Sequence, residues 1–305
     1  FKDYQYLGGI VGQNSGTVSD ATFSGTIEEK NGSAGNCYGG IAGINMSGAE
    51  LKYCCVGKIT MTINGVYTAT STSTAAQKEA LATHAGGIVG KNEENAVIDG
   101  CTLENNADSK LTAKYGMLGG VAGFNKGKIT MSGSSITPDV MNGADTTDEL
   151  AANAIGQGLS ADGTYVNTRS ASTIENMKYN GGTTVSAGKL EMYMLHNGNI
   201  GGITAYNGTA GQLSECVSGK WFLNNKSEAI GVGTGGIIGM NESQKDLSKL
   251  VNGAFVGRQI GSGDTNRFAG GIIGNQNNAT GSDRLIEKCI NYGTIYCYNS
   301  HYSGG

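Results

Sequence analysis

One short string returns seven times along these 305 residues: GGIVGQN at Gly8–Asn14, GGIAGIN at Gly39–Asn45, GGIVGKN at Gly86–Asn92, GGVAGFN at Gly119–Asn125, GGITAYN at Gly201–Asn207, GGIIGMN at Gly235–Asn241 and GGIIGNQ at Gly270–Gln276. The copies start 31, 47, 33, 82, 34 and 35 residues apart, and Gly304–Gly305 opens a further copy 34 residues after Gly270. A period near 34 carrying one supersecondary unit predicts a solenoid, in which each unit buries its apolar face only against its neighbours. The whole chain, 1–305, reads as one such body. Motifs stand at both extremes with no polar cap outside them, which predicts a window of a longer polypeptide with flanking repeats or domains.

Composition narrows the solenoid type. The chain has 52 Gly, a single Pro (Pro138) and only 15% charged residues, which fits neither collagen nor a charged disordered tail and leaves a turn-dense β fold. The 21 basic and 25 acidic residues give a net charge of -4 without a basic stripe, so nucleic acid is not expected as a partner. No run approaches the ~20 apolar residues that span a bilayer, and membrane insertion is not expected either.

Within the motif the third residue is β-branched each time: Ile10, Ile41, Ile88, Val121, Ile203, Ile237 and Ile272. Strand alternation then puts Ile10, Gly12 and Asn14 on one inward face and turns Gln13, Ile44, Lys91, Phe124, Tyr206, Met240 and Asn275 outward. The glycines suit positive φ and close backbone approach at a tight corner. The closing Asn14, Asn45, Asn92, Asn125, Asn207 and Asn241 predict an internal amide ladder at the ~4.8 Å strand spacing. In the last copy Gln276 breaks the pattern, with Asn277 available after a one-residue slip.

A second strand follows seven to nine residues later, and it carries an apolar-x-x-Cys pattern in Leu51–Cys54, Ile98–Cys101, Leu213–Cys216 and Ile286–Cys289. Four of the seven cysteines thus share one repeat position, which predicts a buried thiol stack, a small free Cys behaving as a hydrophobe. Cys37, Cys55 and Cys297 have no repeated place. No CxxC pair exists and His84, His196 and His301 are dispersed, so neither zinc nor any other metal or cofactor is expected.

The sequence Gly-Gly-apolar-apolar-Gly-x-Asn, then Gly-x-apolar and apolar-x-x-Cys, resembles the GLUG motif of bacterial surface proteins, best in Gly8–Val18, Gly39–Cys54, Gly86–Cys101 and Gly119–Ile129. Gly201–Cys216 departs from it, with Ala205 in place of the third Gly. The resemblance implies a right-handed parallel β-helix, here of about eight coils. It also implies an extracellular, cell-surface setting, in adhesins and in the non-catalytic N-terminal regions of IgA-cleaving metallopeptidases. It supplies no binding residues, because the motif is scaffold.

The two long steps predict lateral insertions at about 67–85 and 137–199. The first holds a helix-forming stretch, Ala75–Leu81; the second holds a capped helical pattern from Thr146, room for a degenerate coil, and a return to strand over Thr173–Val185 or Lys189–Leu195. Insertions and outward aromatics are where a solenoid meets ligands, so the binding candidates are Tyr67, Tyr165, Tyr206, Trp221, Tyr296, Tyr298 and Tyr302. Parallel β-helices also host carbohydrate-cleaving enzymes, whose chemistry needs converging carboxylates. This chain has no Asp-Asp pair, no HExxH and dispersed acids, so no catalytic residue is expected. The expected role is an adhesin-type module binding a host glycan or a surface or matrix protein; the alternative is a stalk about 40 Å long at ~4.8 Å per coil.

Overall fold

The computed structural model describes residues 6–70, 72–104, 109–130, 190–218, 221–225, 232–259, 268–277, 284–291, 293, 295–298 and 302–304. The strands stack in parallel sheets as a parallel β-helix, and every strand pairing among the described residues is parallel. Each coil turns through three faces. The second face is a seven-stranded sheet of the motif halves: Val11–Asn14, Ala42–Asn45, Val89–Asn92, Ala122–Asn125, Thr204–Asn207, Ile238–Asn241 and Ile273–Gln276. The third face holds seven short strands, from Thr17–Ser19 through Glu50–Lys52 and Val97–Asp99 to Ile286–Glu287. The first face, a 14-stranded sheet, contains the strands that enter each Gly-Gly pair and the long strands such as Cys55–Ile63 and Lys110–Gly119.

The Gly-Gly pair is required by close approach. A Cβ on Gly40, Gly87 or Gly236 would lie 2.3, 2.3 or 2.2 Å from the carbonyl oxygen of the equivalent glycine one coil on, so no side chain fits. Positive φ plays no part there; the described glycines with positive φ, such as Gly48 and Gly100, lie outside the motif. The φ demand falls instead on the corner after the third face, at Asp20, Tyr53, Gly100, Glu215, Lys249 and Lys288, with φ between 53° and 62°. The next residue turns inward, which places Ala21, Cys54, Cys101, Cys216, Leu250 and Cys289 at one stacked position.

The bore is filled by the repeated aliphatics. Ile41, Ile88, Val121, Ile203 and Ile237 are buried, and Ile10, in the first described coil, is 47% exposed. The alternation expected across Ile10, Gly12 and Asn14 does not hold. The third residue sits in the bend before the strand, so it and its successor both reach the core, as Ile41 with Ala42 and Ile88 with Val89 do.

The long steps differ from expectation at their edges. The first excursion ends at Thr83, because His84–Gly86 is already a first-face strand. It contains one helix, α1 (Ala75–Ala80), opened by a capping box in which Gln77 N donates to Thr74 Oγ1 and Thr74 N donates to Gln77 Oε1. The segment 131–189 lies outside the described residues, as do the helical pattern at Thr146, Tyr165 and the strand expected over Thr173–Val185. The insertion does not extend to Asn199, because Glu191–Gly201 is a first-face strand paired with Lys110–Gly119. Nor does a degenerate coil intervene on the second or third face: Ala122–Asn125 pairs directly with Thr204–Asn207, and Lys128–Thr130 with Gln212–Ser214.

Candidate functional surface

The conserved geometry of the coil sets one polar line through the interior. Asn14 Nδ2 donates to Asn45 Oδ1 at 2.8 Å, Asn45 to Asn92 at 2.9 Å, Asn92 to Asn125 at 2.9 Å, Asn125 to Asn207 at 2.9 Å and Asn207 to Asn241 at 2.8 Å. Asn241 then donates to Gln276 Oε1 at 2.9 Å, so the longer side chain continues the line and no slip to Asn277 is needed. Remaining amide protons go to corner carbonyls such as Ala49 O and Gly127 O. All six asparagines are buried and partnered, which leaves them to hold the corner and not to read a ligand. A second, shorter line runs Ser218 Oγ to Asn252 Oδ1 (2.6 Å) and Asn252 Nδ2 to Asn291 Oδ1 (2.7 Å). Its sequence signal is the apolar-polar pair right after the inward corner residue: Val217-Ser218, Val251-Asn252 and Ile290-Asn291.

Cys54, Cys101 and Cys216 are buried and Cys289 is half-buried, and these four, Cys37 and Cys55 are free thiols. Each thiol donates to a backbone carbonyl two residues before it: Lys52, Asp99, Ser214 and Glu287. Burial pushes the Cys216 thiol up to about 12. Contact with Cys54, then burial, pushes Cys101 up. Cys101 and Cys216 are thus inert core groups, whereas the hydrogen bond with Cys101 holds the Cys54 thiol below its ordinary value.

The variable motif row faces solvent only in part: Gln13 is exposed and Lys91 and Asn275 are half-buried, whereas Ile44 is buried. Phe124, Tyr206 and Met240 are buried, and with Tyr67, Ala82, Met117, Ala205 and Val232 they form a second apolar cluster in the groove outside the bore. Ring centroids of Phe124 and Tyr206 lie 4.8 Å apart at 14°, a stacked pair, although 82 residues separate them in sequence. The lid is the first excursion, tied by an antiparallel bridge between Tyr67 and Ala82. From α1, buried Lys78 pairs with Glu242, and Glu242 also accepts from the Tyr206 hydroxyl and from Asn277 Nδ2. Glu79 meets Lys91 at 2.6 Å and Lys126 at 3.2 Å, while Lys91 also reaches Glu93 at 2.6 Å. Burial opposes charge on Glu79, but the Lys91 hydrogen bond and the two lysine charges prevail and lower its pKa. His84, wholly enclosed with its Nδ1 3.7 Å from Cys37 Sγ, is depressed to about 3 by burial and then by Lys91.

The aromatic candidates therefore divide. Tyr67, Tyr206 and Trp221 are buried and present no platform, Trp221 lying in the main core. The reason is common to all three: an aromatic side chain gains more by completing a core than by facing water. Tyr296, Tyr298 and Tyr302 fall in the strands Ile295–Tyr298 and Tyr302–Gly304. Aromatics that do lie near the surface were not singled out by the repeat: half-buried Tyr115 stacks on exposed His196 at 5.2 Å, where the first-face register shifts after Ala113.

Among the described residues no group of three His, Cys, Asp or Glu converges as a metal site, and no helix is long and apolar enough to cross a membrane. The family model of the GLUG motif matches residues 3–28, which comprise the first Gly-Gly motif, its third-face strand and the start of the following first-face strand. The same residue pattern heads each later coil. This is a GLUG-motif repeat region. Its GLUG residues are the bend, bore and ladder just described. Comparison with curated proteins and with solved structures found no match.

Proposed function

We propose that this GLUG repeat region is a non-catalytic, extracellular module of adhesin type that binds a host glycan or a surface or matrix protein. The observation that supports this reading is the division of labour in the coil. The repeated residues are consumed by the bend, the bore and the amide line, and the outer apolar groove is sealed by its own excursion. Recognition then falls to the polar corners and to the second inserted segment, the places where the coils differ. Among the described acids, Glu79, Glu93 and Glu242 bind lysines, and Asp246 Oδ1 accepts from Leu285 N.

A stalk is the second reading, favoured by the unbroken six-bond amide line, which stiffens the long axis. The test is binding of the whole chain to an array of host glycans, mucins and matrix proteins. Saturable binding to any of them supports an adhesin. Absence of binding to all of them rejects it in favour of a stalk.

A further inference from the structure

The corner between the second and third faces varies in length from coil to coil. Four residues separate the ladder amide from the next strand in Asn45–Glu50, Asn92–Val97 and Asn207–Gln212, but only two, Lys126 and Gly127, in Asn125–Lys128. The register is nevertheless unbroken, since Val97 pairs with Lys128 and Lys128 with Gln212. The short corner is therefore drawn in between two longer ones. Gly127 is what permits this: a Cβ there would sit 2.2 Å from Ala96 O and 2.6 Å from Asn92 Nδ2. The result is a notch of about 340 Å³ on the solenoid's flank, at the lower end of the ~300–1,000 Å³ of small-ligand sites.

Its chemistry is one-sided. Lys126, Lys128 and Lys245 line it with a single carboxylate, Glu94, and the amides of Asn95 and Gln212. Lys126 is engaged by Glu79 at 3.2 Å and Glu93 at 3.7 Å. Lys128 and Lys245 are exposed, and no ion pair among the described residues neutralises either. No aromatic and no large aliphatic side chain other than half-buried Val97 is present, so the notch lacks the apolar anchors on which protein interfaces depend. Ammonium groups flanked by carboxamides match a ligand that carries an acid group among hydroxyls.

We propose that this notch binds the acidic residue of an anionic saccharide, with Lys128 and Lys245 meeting the carboxylate or sulfate and Asn95 and Gln212 bonding the neighbouring hydroxyls. The proposal rests on the adhesin reading and names its ligand class. Both lysines are exposed, so affinity is electrostatic and falls with salt.

The experiment titrates the whole chain calorimetrically with a hyaluronan octasaccharide (carboxylate only), a chondroitin sulfate octasaccharide (carboxylate and sulfate), neutral maltooctaose and an oligoglutamate peptide, at 50 and 300 mM NaCl. Binding of either acidic saccharide, weaker at 300 mM, is expected, with the stronger of the two identifying the acid group. K128Q/K245Q should bind at least tenfold more weakly, whereas K110Q/K114Q, on the first face, should bind as the parent does. A second variant inserts Gly-Ala between Gly127 and Lys128, restoring the corner length of its neighbours. It fills the notch while keeping all three lysines and should abolish binding with an unchanged circular dichroism spectrum. Equal binding by K128Q/K245Q, or oligoglutamate bound as tightly as the saccharides, overturns the proposal. Failure of both acidic saccharides while the glycan or matrix array is still bound overturns this site alone; failure of the array as well removes the adhesin reading with it.

Discussion

The bore and the sealed groove outside it are both dry, yet they are built on opposite plans. In the bore one residue type recurs through most coils: Ile41 sits above Ile88, Cys54 above Cys101, Asn45 above Asn92. In the groove nearly every contact is made once. Lys78 reaches Glu242 across 164 residues of sequence, Phe124 stacks on Tyr206, and His84 packs against Phe124 at 5.1 Å. Stability in the bore is a sum over rungs, so a lost rung is shared with its neighbours. The groove depends on a few ties made once each, Lys78 to Glu242 and Glu79 to Lys91 and Lys126, and opens or closes as a unit.

The sharpest way to break that contrast is Lys78→Met. It leaves the Glu242 carboxylate buried without its cation, a loss of about 3–5 kcal/mol. The loss should appear as hydrogen exchange across residues 66–83 with the strands of the bore still protected; equal loss of protection in Ala42–Asn45 would show that groove and bore are one unit. Lys78→Met/Glu242→Met should recover most of the protection. Next in size is Asn92→Ala, which strands the Asn45 donor and the Asn125 acceptor and should cost about 3 kcal/mol in urea unfolding. Asn14→Ala, with a ladder neighbour on one side only, should cost about half as much. If the two are equal, the line does not act rung by rung.

Acid should act on the groove first. His84 is held neutral in the folded chain down to about pH 3, while the unfolded chain takes up that proton near pH 6.5. Stability therefore falls as pH drops from about 6.5, by about 1.4 kcal/mol per unit, until the folded value is reached. His84→Met, the residue that Met117 places in the next coil, should flatten the slope of unfolding free energy between pH 6.5 and 5. The smallest effect is at the positive-φ corner: Lys288→Gly at φ 55° should stabilise by about 0.5–1 kcal/mol, read as a higher urea midpoint.

The contrast also explains what the sequence revealed. Ile41, Ile88, Asn45 and Cys54 were legible because a repeated environment selects a repeated residue. The positive-φ corner was not, because it repeats a backbone conformation while its residues run Asp20, Tyr53, Gly100, Glu215, Lys249 and Lys288. The second amide line escaped notice with only Ser218, Asn252 and Asn291 as members. The seal over Phe124 and Tyr206 was invisible for a different reason. A variable position looks outward in a periodic reading whether solvent or an excursion covers it, and nothing in Tyr67–Ala82 repeats. The notch lay open in the sequence as the two missing residues after Asn125, a deletion that matters only once Val97, Lys128 and Gln212 are known to align.

The interior amide line has a direction. At every rung from Asn14 to Gln276 the nitrogen of one coil gives its proton to the oxygen of the next coil along the chain. Turning over one amide would set nitrogen against nitrogen on one side and oxygen against oxygen on the other, so each rung dictates the orientation of its successor. The solenoid thus carries an arrow along its axis, and a coil joining the stack meets a surface already written to accept it in one sense only.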